Sequence, residues 1–153
     1  CNVDAVRFED TNAVGFGAVI WDSTGRFLAA RSSCMAGMPS VKESETLALV
    51  AALNWAETMG FHHVIFETDS KITVDAIHSS MADYSEFGDL INRCKQILLQ
   101  HTDYSVRFVR RQANGTAHVL AKESRFRSCP AFYFDVPSFL VPVLNSICPV
   151  EAH

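Results

Sequence analysis

The sequence predicts an α/β fold: a mixed five-stranded sheet flanked by helices. Three observations carry this expectation. The elements read in the order βββαβααβα. The first three strands follow one another through short connections, as an antiparallel meander does. The later strands alternate with amphipathic segments, as parallel βα units do. The expected strand order is an antiparallel 3-2-1 followed by parallel strands 4 and 5.

Asn2–Arg7 reads as a short first strand. Ala13–Trp21 is rich in Val, Ile and aromatics, and its Gly15 and Gly17 mark close backbone approach or a bulge. Asp22-Ser23-Thr24-Gly25 is a turn signal, after which Arg26–Arg31 returns as the third strand. Ser40-Val41-Lys42-Glu43 fits a capping box that opens a helix to about Met59, ended by Gly60. Along that helix Glu45, Ala48, Ala52 and Ala56 share a face with Leu49 and Leu53. Small residues there let it lie close to a sheet. Val64–Thr68, apolar up to Glu67, reads as a central strand. Asp69-Ser70 then opens a second helix to about Ser79. Phe87–Gln100 is a third, with Leu90, Ile91, Cys94, Ile97 and Leu98 at helical spacing. Tyr104–Val109 is the fifth strand. Asn114 or Thr116 caps a last helix through Ala117, Val119, Leu120 and Ala121. This places one domain over residues 1–125. Residues 126–153 form a Pro/Phe-rich tail with Phe132, Tyr133, Phe134 and Phe139 among Pro130, Pro137, Pro142 and Pro149. It reads as an irregular segment docked on the domain or on a neighbour.

The chain has 153 residues, 48% hydrophobic and 20% charged, which fits one folded domain and excludes disordered or collagen-like classes. No stretch approaches the roughly 20 apolar residues of a bilayer span, so no membrane partner is expected. The net charge is −4, so any contact to nucleic acid must come from a local basic patch. Cys1, Cys34, Cys94, Cys129 and Cys148 lie far apart with no CxxC pair. This argues against zinc and for reduced cysteines in an intracellular setting, nucleus or cytoplasm. The start at Cys1, without Met or leader, reads as a piece of something longer.

Three carboxylates stand in apolar company. Asp4 lies between Val3 and Ala5, Glu45 on the sheet-facing side of its helix, and Asp69 at the end of an apolar strand. Each has an ordinary alternative: Asp69 as a helix N-cap, Glu45 as an exposed first-turn acid, Asp4 as an exposed edge residue. If strands one and four are neighbours, all three meet. Buried carboxylates are costly unless paired or bound to metal, and three together suit a hard cation such as magnesium.

These segments resemble a known family. Asn2-Val3-Asp4-Ala5, Gly15-Phe16-Gly17-Ala18-Val19-Ile20, Glu45-Thr46-Leu47-Ala48-Leu49, Phe66-Glu67-Thr68-Asp69-Ser70 and Asn114-Gly115-Thr116-Ala117-His118-Val119-Leu120-Ala121 occur in the order of type 1 ribonuclease H. The likeness covers about residues 1–125 and is nearest to the plant domain of retrotransposon reverse-transcriptase proteins. It implies an RNase H-like fold and an endonuclease that cuts the RNA strand of an RNA/DNA hybrid, using two Mg²⁺ ions, with Mn²⁺ as a substitute. It also implies an upstream reverse-transcriptase or other domain as a possible companion in the same polypeptide. The family's metal-binding acids map onto Asp4, Glu45 and Asp69. The position of its fourth acid holds His118, taken as a fourth catalytic and metal-binding residue, whose nitrogen suits manganese better than magnesium. A loop histidine of many members is replaced by Phe108. Arg107, Arg110, Arg111 and Asn114, with Ser70 and Lys71 beside Asp69, are the candidate nucleic-acid contacts. A rival reading is a catalytically weakened nucleic-acid-binding or scaffold domain derived from a retrotransposon. A third is an interaction module built on the tail.

Overall fold

The computed structural model describes residues 1–147. Its strands are β1 (Asn2–Phe8), β2 (Ala13–Trp21), β3 (Phe27–Ala36), β4 (Ile65–Thr68), β5 (Ser105–Phe108) and β6 (Ala131–Tyr133). Its α-helices are α1 (Val41–Met59), α2 (Lys71–His78), α3 (Glu86–Gln100), α4 (Gly115–Glu123) and α5 (Val141–Ile147). The strands form one sheet in the order β5-β4-β1-β2-β3-β6. β1, β2 and β3 are an antiparallel meander, and β4 pairs parallel with both β1 and β5.

The predicted five-strand order is present, and a sixth strand extends it. Residues Ala131–Tyr133 pair antiparallel with Ser32, Arg31 and Ala30 of β3. Three residues between prolines carry no readable periodicity, so this strand exists only through its long-range partner. A second correction concerns the cysteines. Cys34 and Cys129, expected to be reduced, are joined in a disulfide across a sequence separation of 95. Cys1 and Cys94 are free, as expected, and Cys148 lies outside the described residues. Spacing alone gives no sign of such a pair, because proximity is created by β6 lying on β3.

Local chemistry accounts for the helices. The Ser40 hydroxyl accepts from the Glu43 N–H and donates to Oε1 of Glu43 at 2.8 Å, closing the capping box of α1. Gly60 ends that helix in the left-handed region at φ 72°. Ser70 rather than Asp69 caps α2, accepting from the Thr73 N–H, which leaves the Asp69 carboxylate free for another task. On one face of the sheet, Ala48, Leu49, Ala52, Leu53 and Ala56 of α1 pack with Val3, Phe16 and Phe66 into the main core, joined by Ile91 and Cys94 of α3. On the other, Leu120 of α4 and Leu140 pack with Val19 and Ala30, with Tyr133, Phe139 and Val143 at the margin. Strand alternation therefore sends Val3 and Ala5 to the main core, and Asn2 and Asp4 toward α4. No helix among the described residues is long and apolar enough to cross a membrane.

Candidate active site

Asp4 and Asp69 are brought together by strand register. Val3 and Thr68 are partners in the parallel β1–β4 ladder, so Asp4, inside β1, and Asp69, just past the carboxyl end of β4, stand side by side on two central strands. Glu45 reaches the same point from the second turn of α1. Carboxylate oxygens of Asp4, Glu45 and Asp69 all lie within 4.8 Å of one another. The ordinary alternatives are thereby removed: Asp4 is central and only 4% exposed, Ser70 is the cap, and Glu45 is turned inward.

The electrostatics of this cluster are those of an incomplete site. Burial, then the charges of Asp4 and Asp69, push the Glu45 carboxyl up to about 9. Burial and the Asp69 charge also raise Asp4, partly offset by its hydrogen bond to His118. Oε2 of Glu45 is buried with no hydrogen-bond partner. An unpaired carboxylate oxygen facing two other acids is a group that a cation would satisfy. The donors are all carboxylate oxygens, which fits a hard divalent ion.

His118 stands on the exposed side of α4, and its Nδ1 lies 2.8 Å from Oδ2 of Asp4. The expectation that it completes the donor set is thus modified. The tight cluster consists of the three acids, and His118 reaches it through Asp4. With Asp4 ionised, the carboxylate can only accept, so Nδ1–H of His118 is the donor of this bond.

The predicted nucleic-acid contacts divide. Arg110 and Arg111 are both exposed, and Nε of Arg111 lies 3.6 Å from Oδ2 of Asp69. Lys71 is exposed but paired with Asp75, and the Ser70 hydroxyl is engaged with Thr73. Nε of Arg107 donates to Glu67 at 2.7 Å on the paired strands β4 and β5. Asn114 departs from the expected surface contact: it is 1% exposed and its amide is bonded to Asn2 and Val3 of β1, so burial keeps it from a phosphate. Phe108, at the place of the family's loop histidine, ends β5 with its ring 43% exposed. Two residues outside the sequence-based set, Asn2 and Trp21, take part in the same buried polar network as Asn114. Their only advance signal was a polar asparagine two residues before Asp4.

The family model described as reverse transcriptase-like matches residues 2–124. No curated protein shows significant similarity to the chain. Among solved structures, RNase H1 of the halophilic archaeon Halobacterium salinarum superposes with a TM-score of 0.72 at 22% identity, over 81% of this chain and 94% of that one. LC11-RNase H1 in complex with an RNA/DNA hybrid gives 0.69 at 19%, over 80% and 92%. The foamy viral protease-reverse transcriptase in complex with RNA/DNA hybrid gives 0.65 at 16%, over 82% of this chain and 19% of that much longer one. The likenesses in structure establish the RNase H fold, and the match over residues 2–124 places this chain in the reverse transcriptase-like family.

Proposed function

We propose that the chain is a metal-dependent endonuclease that hydrolyses the RNA strand of RNA/DNA hybrids. The observation that carries this reading is the convergence of Asp4, Glu45 and Asp69, with an orphaned, buried Glu45 oxygen at its centre. Membership of the reverse transcriptase-like family supports it, as do two hybrid-bound proteins among the structural neighbours. The three acids would hold two divalent ions, magnesium or manganese. When bound, such ions make an attacking water more acidic and neutralise charge at the scissile phosphate.

The chain's own residues supply the rest. Glu45, raised by burial and then by the charges of Asp4 and Asp69, would release its proton on cation binding, since a cation favours its charged form. His118 holds Asp4 in one orientation through Nδ1, a role that outer-shell histidines and carboxylates commonly share at metal centres. Arg111, exposed beside Asp69, with the exposed Arg110 next to it in sequence, would grip backbone phosphates and contribute position rather than sequence preference. Selectivity for the hybrid then rests on groove shape and 2′-hydroxyls. An upstream reverse-transcriptase domain fits as a companion, since the segment that this chain resembles is only 19% of a foamy viral chain named a protease-reverse transcriptase.

An end-labelled RNA/DNA hybrid, incubated with the protein in magnesium and separately in manganese, tests the proposal. Cutting confined to the hybrid and abolished in Asp69→Asn is the expected result. Folded protein that binds hybrid but cuts it in neither metal would overturn the nuclease reading. It would favour the scaffold alternative, for which the His118 and Phe108 replacements speak.

A further inference from the structure

A buried hydrogen-bond chain links the far end of β2 to the acid cluster. Nε1 of Trp21 donates to Oδ1 of Asn2 at 2.9 Å. Nδ2 of Asn2 donates to Oδ1 of Asn114 at 3.2 Å. Nδ2 of Asn114 donates to the carbonyl oxygen of Val3 at 2.7 Å. Asn2 is 6% exposed and Asn114 1%, so these amides have little water to fall back on.

The chain has a fixed polarity. An indole N–H can only donate, so the Asn2 amide must present its oxygen to Trp21 and its nitrogen to Asn114. Asn114 must then present its oxygen to Asn2 and its nitrogen to Val3. The Trp21 donor acts together with obligate acceptors, the Ala113 carbonyl at 3.3 Å and the Glu67 carboxylate at 3.4 Å from Nδ2 of Asn2 and the Val3 carbonyl at Asn114, to fix the orientation of both buried amides. The Asn114–Val3 end of the relay adjoins the site. Val3 precedes Asp4, and Asn114 lies one helical turn before His118, at i and i+4 across the start of α4. The relay therefore pins the first turn of α4 to β1 at the level where Nδ1 of His118 meets Asp4.

We propose that Trp21, Asn2 and Asn114 are positioning residues that hold His118 on Asp4, and through that contact set the cation affinity of the acid cluster. The inference rests on the nuclease reading only for its consequence in catalysis. The positioning itself is measurable without a substrate.

Trp21→Phe removes the donor and keeps an aromatic ring. Calorimetric titration with Mn²⁺ alone is expected to show about 3- to 10-fold weaker binding, less than the roughly 10- to 100-fold of a direct outer-shell partner. The ¹⁵N shifts of the His118 imidazole should move toward those of an unpaired ring. In a His118→Ala background, Trp21→Phe should cause no further loss of Mn²⁺ affinity. A merely structural role would add to that loss instead. On hybrid substrate, kcat should fall while KM stays unchanged. In the wild-type protein, the Trp21 indole and Asn114 amide protons should exchange slowly with solvent. This last measurement stands even if a variant fails to fold.

Unchanged Mn²⁺ affinity and His118 shifts in Trp21→Phe, equal losses with and without His118, or fast exchange of those protons would each overturn the relay. A wild-type protein that shows the shifts and the Mn²⁺ coupling but cuts no hybrid would instead sink the nuclease reading and leave the relay standing.

Discussion

Between pH 4.5 and about 9, Glu45 keeps a proton in the folded, cation-free chain that it would release on unfolding. The folded state then binds more protons than the unfolded state, so stability falls as pH rises through this window. The contribution is complete below 4.5 and lost above about 9. Asp4, also raised, adds in the same sense. Cations compete with that proton, so their apparent affinity should climb by up to about tenfold per pH unit below 9. Mn²⁺ titrations at pH 6, 7 and 8, with thermal melts of the metal-free protein alongside, measure both slopes. Glu45→Gln should flatten them, and affinity independent of pH in the unmodified protein would contradict the assignment. The three acids were readable in the sequence because a charge inside an apolar run is conspicuous. Asn114 was misread because nothing local distinguishes an asparagine at a solvated helix start from one buried against Asn2, 112 residues away.

The elements were legible wherever their signal is local. The capping box, the terminal Gly60 and the small-residue stripe of α1 all appear as expected, with Ala48, Ala52 and Ala56 at most 2% exposed. Gly15 and Gly17 were readable as either close approach or a bulge, and the structure separates the two. The ladder irregularity lies at Ile20/Trp21, whereas both glycines mark the crossing of β2 under α4. A Cβ on Gly17 would meet the Ala117 carbonyl oxygen and the Ala121 nitrogen, the latter at 2.7 Å. These are backbone atoms of the helix that carries His118, and they cannot turn aside as a flexible side chain would. Gly17→Ala is therefore expected to cost about 1–3 kcal/mol through overpacking. It should also lift α4 from the sheet and lengthen the His118–Asp4 contact. Chemical denaturation and the imidazole shifts of His118 measure the two effects. A variant with wild-type stability would mean that α4 is held far more loosely than the crossing suggests.

At the scale of the whole molecule, the net charge of −4 makes Arg111 beside Asp69 a local basic contact in an acidic chain. The segment after residue 125 bears on the same arrangement from behind. It runs on directly from α4, is joined to β3 at Cys34 and Cys129, and lays Tyr133, Phe139 and Val143 against the core that contains Leu120. The sequence suggests that this apolar tail docks, but the cross-link over 95 residues and the three-residue edge strand depend on partners the local sequence does not name. Its energetic weight follows from chain entropy. Closing a loop of that length in the unfolded ensemble stabilises the fold by about 4–5 kcal/mol. With a urea slope of about 2 kcal/mol per molar for a domain of this size, reduction should lower the unfolding midpoint by about 2 M. Cys34→Ser should reproduce the shift without reductant, and reductant should then have no further effect. Burial pushes the remaining core thiol, Cys94, up to about 12, so it adds no competing redox chemistry in the folded state. If reductant leaves the midpoint unchanged, the junction of β3 and β6 is held by its ladder and aromatic packing alone. The tail would then be anchored by the same non-covalent contacts that seat α4.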